Sequence, residues 1–158
     1  MAFEGNLGPS FIQTPPNFAT KNFDVLASFL DELPENFEVF VELRHPGWYE
    51  NQDLLEKVFV LLEQQQAGFI ITDTAGRRDC VHMRLTTPSA FIRFVGNNNH
   101  PSDFDRLNVW ADRIAGWNSK GIRSVYMFMH QPDEVHSPFL CKHVTERFKE
   151  VIPMHPTS

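Results

Sequence analysis

The stretch Val39-Phe40-Val41-Glu42-Leu43-Arg44-His45-Pro46-Gly47-Trp48-Tyr49 decides the fold. It opens as an apolar run suited to a buried strand, turns polar, and is stopped by a Pro-Gly pair that starts a loop. Alternation along a strand puts Phe40, Glu42 and Arg44 on one face and Val39, Val41 and Leu43 on the other. A carboxylate and a guanidinium thus extend a line that begins with an aromatic ring. They do so at the C-terminal end of the strand, which is where ligands bind in parallel α/β proteins.

Working outward, the same βα rhythm recurs. Gly8 to Thr14 reads as a short strand, closed by Pro15-Pro16, with Phe11 and Gln13 on one face. A helix is expected from Asn22 to Leu33, with apolar residues at three- and four-residue steps and Pro34 as its stop. A second helix is expected from Asn51 to Gln66, with Gly68 marking its exit, and Phe69 to Asp73 forms a third strand. Thr74 to Ser89 offers no helix. Ala75 to Asp79 reads as a polar loop, and Val81 to Leu85 as a short extra strand or turn. Ala90 to Gly96 is the fourth strand. Ser102 then caps a helix, with Asp105 in the capping-box position and Leu107, Trp110, Ala111, Ile114 and Trp117 on its buried face. Ser124 to Met129 is the fifth strand. Ser137 and Pro138 open the last helix, and the tail beyond Pro153 is expected to fray.

The composition agrees with a single globular domain over residues 1–158, with 42% hydrophobic content and 15 Phe to fill a core. A net charge of −6 and a pI near 5.6 supply no general attraction to nucleic acid or to anionic membranes. No apolar run reaches the ~20 residues needed to span a bilayer. Met1 to Gly5 does not read as a signal peptide. The two cysteines, Cys80 and Cys141, lie far apart, so a reduced, cytoplasmic protein is expected.

Five apolar strands separated mostly by helices mean a parallel α/β sheet with helical crossovers. A doubly wound sheet and part of a (β/α)8 TIM barrel both fit. Polar residues that come after bulky ones at the strand ends favour the barrel: Gln13 after Phe11, Glu42 and Arg44 after Phe40, Asp73 after Ile71, Arg93 after Phe91, and His130 after Phe128.

The residues also carry a resemblance. Leu7 to Pro16, Glu42-Leu43-Arg44-His45 with Trp48, Asp73 at its strand end, Phe91 to Gly96 and the Trp110-Ala111 helix are similar to the YecE-like family, catalogued as domain of unknown function 72. The resemblance covers nearly the whole chain and corresponds to the family's C-terminal two-thirds, from the fourth strand onward. It implies a TIM-barrel-like fold, loosely linked to sugar isomerases, with the first three βα units missing; a full barrel takes ~250 residues. No established activity comes with it. Two departures stand out: Val95 where the family has His, and Met129-His130-Gln131 where it has an Asn-rich strand end.

The candidate chemistry gathers at these strand ends. Glu42 and Asp73, with His45, form a candidate acid/base group. With His45 and His130, Glu42 and Asp73 could equally hold a divalent metal through oxygen and imidazole. The structural alternative is a buried ion pair, Glu42 with Arg93 or Asp73 with Arg44, since an unpaired buried charge is costly. Arg44 and Arg93 suit an anion clamp, Trp48 could stack on a sugar or base face or cover the core, and Gln13 and His130 complete a substrate-binding set. His82, His100, His136, His143 and His155 read as surface or loop residues. Phosphate-cradling and nucleophile-elbow motifs are absent.

The leading expectation is an enzyme, or the remnant of one, acting on a small anionic, sugar-like substrate. A non-catalytic binding or assembly module is the alternative. A nuclease-like barrel using Arg77, Arg78 and the Asn97-Asn98-Asn99 loop is a third, which the acidic charge disfavours. An open five-stranded piece would leave sheet edges and the apolar layer of Phe11, Phe40, Ile71, Phe91 and Phe128 partly uncovered, so a homodimer is expected.

Overall fold

A computed structural model describes residues 8–34 and 37–151. The expectations for Met1 to Gly5, for the tail beyond Pro153 and for His155 lie outside the described residues. The order of elements is β1 (Ser10–Gln13), α1 (Phe23–Asp31), β2 (Val39–Glu42), α2 (Gly47–Glu50), α3 (Gln52–Gln64), β3 (Gly68–Phe69), β4 (Ile71–Thr74), β5 (Ser89–Val95), α4 (Pro101–Asn118), β6 (Ser124–His130) and α5 (Ser137–Val151). Short 3-10 turns precede α1 and α5. The fold is mixed α/β, with parallel sheets and helical crossovers. One three-stranded sheet runs β1-β2-β3 and another β4-β5-β6.

The chain divides into two compact units, each discontinuous in sequence: 1–71 with 79–91, and 72–78 with 92–158. In the first unit β2 is the central strand, parallel to both neighbours, in the register Phe11↔Phe40, Gln13↔Glu42 and Phe40↔Gly68. Val39, Val41 and Leu43 face a core that also contains Leu26 and Leu30 of α1 and Leu55, Val58, Phe59 and Leu62 of α3. The 3.6-residue periodicity of both helices is therefore spent on one side of the sheet. Phe40, on the other face, meets Phe91 at 5.2 Å between ring centroids, and Phe91 in turn meets Phe11 at 5.5 Å.

Several boundaries differ from the sequence expectation. The third strand, expected unbroken over Phe69–Asp73, is divided at Ile70 between the two sheets. Gly68 does not terminate α3. Gln66 does, at φ +53°, while the Ala67 amide returns to the Leu62 carbonyl at 2.9 Å. Gly68 lies in β3 because the Phe40 ring occupies the space its side chain would need: a Cβ there would stand 2.0 Å from Phe40 Cδ1. Val81 to Leu85 forms no strand. His82 is a loop residue, one of the two expected settings, but it does not lie on the surface: its ring stacks on Phe69 at a centroid distance of 4.1 Å.

In the second unit Leu107, Trp110, Ala111 and Ile114 form the buried face of α4, with Leu140 and Val144 of α5 buried in the same unit. Trp117 is only half-buried. The cap of α4 is His100, whose Nδ1 accepts from the Ser102 amide at 3.3 Å, with Pro101 at the first helical position. Ser102 therefore lies inside the helix. The acidic residue that serves its start is Asp103, which accepts from the Asn97 amide at 2.7 Å, while Asp105 is exposed. Phe40, Ile71 and Phe91 are buried, whereas Phe11 on β1 and Phe128 on β6 are 50% and 48% exposed.

Candidate functional site

The structure places Gln13, Glu42, Arg44, His45 and Trp48 in the first unit, and Asp73, Arg93 and His130 in the second. In the first unit the pairing of Gln13 with Glu42 across β1 and β2 brings their side chains together. Gln13 Nε2 donates to Glu42 Oε2 at 2.7 Å. Glu42 is buried while Gln13 is exposed, so a buried carboxylate is reached from solvent past an amide. Thr14 locks the adjoining backbone: its hydroxyl donates to the Glu42 carbonyl at 3.1 Å and accepts from the Arg44 amide at 3.4 Å. The strand ends at Glu42, and Arg44, two positions on, is exposed.

The Pro46-Gly47 pair neither stops the strand, which has already ended at Glu42, nor starts a loop; it opens the four-residue helix α2. His45 Nδ1 accepts from the Gly47 amide at 3.0 Å, which leaves Nε2 to carry the proton of the neutral ring. Trp48 is not a stacking platform in this structure. It is fully buried, its indole N–H donates to the Phe18 carbonyl at 2.8 Å, and its ring stacks on Phe18. Tyr49 is anchored likewise, donating to the Leu43 carbonyl at 2.8 Å. An aromatic ring with one polar atom gains most when it is buried with that atom satisfied, and Trp48 takes this option.

In the second unit Asp73, at the C-terminal end of β4, is buried within a charged cluster. Its Oδ1 accepts from Arg106 Nη1 at 2.6 Å and from Arg78, and its Oδ2 accepts from the Trp110 indole at 2.8 Å. Arg106 also donates to Asp103 Oδ1 at 2.8 Å and to the Val95 carbonyl at 3.0 Å, with its guanidinium over the Phe94 ring at 4.2 Å. The buried carboxylates Asp73 and Asp103 are thus balanced mainly by one nearly buried arginine. Sequence reading missed Arg106. The available signal was its three-residue spacing from Asp103 in the first turn of α4.

Arg93 is half-buried on β5. His130 ends β6, with Nδ1 3.6 Å from Glu134, an exposed carboxylate held below its usual range first by the Ser137 hydroxyl and then by the Gln131 backbone and His130. Among the described residues no three His, Cys, Asp or Glu side chains are grouped to hold a metal ion. The physical reason is visible at Asp73, where both oxygens accept from Arg and Trp donors and so favour a structural over a ligating role. Among the described residues no helix is long and apolar enough to cross a membrane.

Comparison with known proteins agrees with this architecture. The curated YecE protein of Escherichia coli K12, UPF0759, is 27% identical over 165 residues, which cover 93% of this chain and 60% of that protein. The crystal structure of a DUF72 family protein from Enterococcus faecalis V583 matches with a TM-score of 0.72 at 13% identity, covering 95% of this chain and 62% of that one. That of a DUF72 family protein from Thermotoga maritima MSB8 matches with a TM-score of 0.67 at 19% identity, covering 96% and 60%. The chain therefore spans about three fifths of the length of these relatives. The family model "Protein of unknown function DUF72" matches residues 1–157, so the narrower expectation of a match to the family's C-terminal two-thirds from its fourth strand onward is not borne out. A match of that extent, on this fold, means that the chain belongs to the DUF72 family.

Proposed function

We propose that the first unit binds a small, anionic, sugar-like molecule at the C-terminal ends of β1 and β2, with Glu42 as the proton-transferring group. The observation that carries this is the Gln13–Glu42 pair: a buried carboxylate at a strand end, held at 2.7 Å by an amide that opens to solvent. A carboxylate used in acid/base chemistry has to be shielded yet within reach of the substrate, and this one is both. Arg44, exposed just beyond the strand, supplies a guanidinium suited to an oxyanion. His45, with its Nε2 proton, supplies a second donor. Asp73 enters this reading as an anchor of the second unit rather than as an acid or base. We also infer that the βα succession, with buried carboxylates ending β2 and β4, derives from a (β/α)8-type barrel.

A thermal-shift screen of sugar phosphates and sugar acids against wild type, Glu42→Gln and Arg44→Ala tests the site. The expected result is a rise in melting temperature for wild type that Arg44→Ala loses. Turnover, where the bound compound has any, should vanish in Glu42→Gln while binding persists. No shift with any member of the panel removes the proposal. Binding that persists without turnover favours instead a non-catalytic binding role.

A further inference from the structure

Residues 79–88 belong to the first unit, form neither helix nor strand, and take no part in the proposed ligand site. Long irregular connections inside compact proteins usually serve a function. This one is fastened to α3 and β3 by His82, Arg84 and Thr86 in turn. The His82 ring lies in a slot between two phenyl rings. It stacks on Phe69 of β3 at a centroid distance of 4.1 Å and meets Phe59 of α3 edge-on at 5.3 Å, with Nε2 3.1 Å from the Ile70 carbonyl. Arg84 lies over the same Phe59 ring at 4.7 Å and donates to Glu56 at 2.7 Å and to Glu63 at 3.0 Å. Thr86 bonds the Ala67 carbonyl and the Phe69 amide through its hydroxyl. Ahead of these fasteners the Cys80 side chain is buried in the core of the unit.

Of the three fasteners, His82 is the one that depends on a proton. On α3 the facing charges are Glu56 and Glu63, both engaged by Arg84; β3 supplies none, and the segment itself carries only Arg84 and the exposed Asp79. Tyr49 of α2, stacked on the far ring of Phe69, spends its hydroxyl on the Leu43 carbonyl. An imidazolium in the slot would therefore have no carboxylate of its own and would share Phe59 with the Arg84 guanidinium. We propose that residues 79–88 form an acid-released strap: the neutral His82 ring keeps it shut in the Phe59–Phe69 slot, and a proton taken up by that ring lets it swing off α3 and β3 while the rest of the first unit stays folded. Opening bares Phe59, Phe69 and the Cys80 thiol. The direction follows from burial, which pushes the enclosed ring from its ordinary 6.5 down to about 4, while a solvated ring in the open strap keeps the ordinary value. Lower pH thus favours the open form, by about thirtyfold between pH 8 and pH 5.

The Cys80 thiol reports the opening. The full chain carries Cys141→Ser, which removes the exposed second thiol, and reacts with 4,4′-dithiodipyridine across this pH range. Dividing each rate by that of the urea-unfolded chain at the same pH gives the open population. This quantity should rise about thirtyfold from pH 8 to pH 5, with a urea slope well below that of global unfolding. His82→Phe, which fills the slot with a ring that cannot titrate, should abolish the rise, and His82→Gln is a second non-titrating variant. Arg84→Ala should raise labelling about fivefold at both pH values and keep the rise, as should E56Q/E63Q. Circular dichroism verifies that each variant is folded at both pH values. A flat wild-type profile overturns the proposal. So does a rise that persists in both His82 variants, which would assign it to the Glu56 and Glu63 carboxylates. Labelling that carries the full urea slope also overturns it, because Cys80 would then be reached only when the whole protein unfolds.

Discussion

Replacing Gly68 with Ala adds one carbon where, among the described glycines, it would meet its neighbour most closely. The new Cβ would lie 2.0, 2.3 and 2.9 Å from Cδ1, Cε1 and Cγ of Phe40. Comfortable carbon–carbon contacts lie at about 3.5–4.0 Å, so the ring has to retreat by roughly 1.5 Å. It has little freedom to do so, because Phe40 is buried and Phe91 stands 5.2 Å away on the same face. Added methyl groups in packed cores cost about 1–3 kcal/mol, and a rigid ring as the neighbour puts this case near 3 kcal/mol. For a chain of this size each kcal/mol lowers the melting temperature by about 2–4 °C, so a drop of about 6–12 °C is expected. Guanidinium unfolding monitored by tryptophan fluorescence measures the change, read from the midpoint at constant slope. A Phe40→Leu partner completes a double-mutant cycle: if the clash is with the ring, the double variant is more stable than additivity allows by about 1–2 kcal/mol. Gly68→Ala within about 0.5 kcal/mol of wild type, or strict additivity in the cycle, would refute the packing argument.

Three further outcomes are expected from other parts of the molecule. Asp73→Ala should destabilise by about 2–4 kcal/mol in urea unfolding, because it leaves the buried Trp110 indole N–H and one Arg106 N–H without their acceptor while Asp103 still faces Arg106, and Asp73→Asn should cost less since it keeps the shape and part of the bonding. Burial pushes His82 from its ordinary value near 6.5 down to about 4, with hydrogen bonds to the Ile70 and Arg84 backbones acting the other way. Between those values the unfolded chain takes up a proton that the folded chain refuses, so stability falls as pH drops through that window, by on the order of 2–3 kcal/mol. Urea midpoints measured across it should flatten in His82→Phe, and an unchanged pH slope in that variant would count against the stacked, neutral ring. Trp48→Phe should cost about 1–3 kcal/mol by leaving the Phe18 carbonyl unpaired, a loss readable by thermal unfolding, with no effect on ligand binding.

The elements legible in the sequence are those set by local pattern. β2 could be read because its apolar run ends in Glu42, and α3 because its stripe repeats every three to four residues. Gln13 and Glu42 are each legible as strand-end polar residues two positions after a Phe, but their contact emerges only from the pairing of β1 with β2. The features that escaped depend on partners distant in sequence. The break at Ile70 leaves no mark in a uniformly apolar run, and Gly68 looks like a helix stop until Phe40 is seen above it. His100 outcompeted Ser102 as cap, although Ser is the commoner choice, because Pro101 already fills the first helical position. Trp48 and His82 are polar-tipped rings whose burial is decided by carbonyls supplied from other segments, those of Phe18 and Ile70. Asp73 was singled out, but Arg106, the cation that holds it, sits on a helix whose pattern advertised only its apolar side.

The alternation of the chain between its two units limits how this protein can be cut or rebuilt. The backbone passes from one unit to the other after Ile71, after Arg78 and after Phe91. No single scission therefore releases an intact half. A fragment ending at Ile71 would lose Thr86, whose hydroxyl donates to the Ala67 carbonyl at 2.7 Å and accepts from the Phe69 amide at 2.9 Å, and Arg84, which clamps Glu56 and Glu63 of α3. A protease acting in the 75–78 turn should leave a nicked molecule whose pieces stay together until denatured. Tags, reporter insertions and split-protein designs belong in that turn, and gene truncations at Ile71 or Phe91 should yield insoluble product.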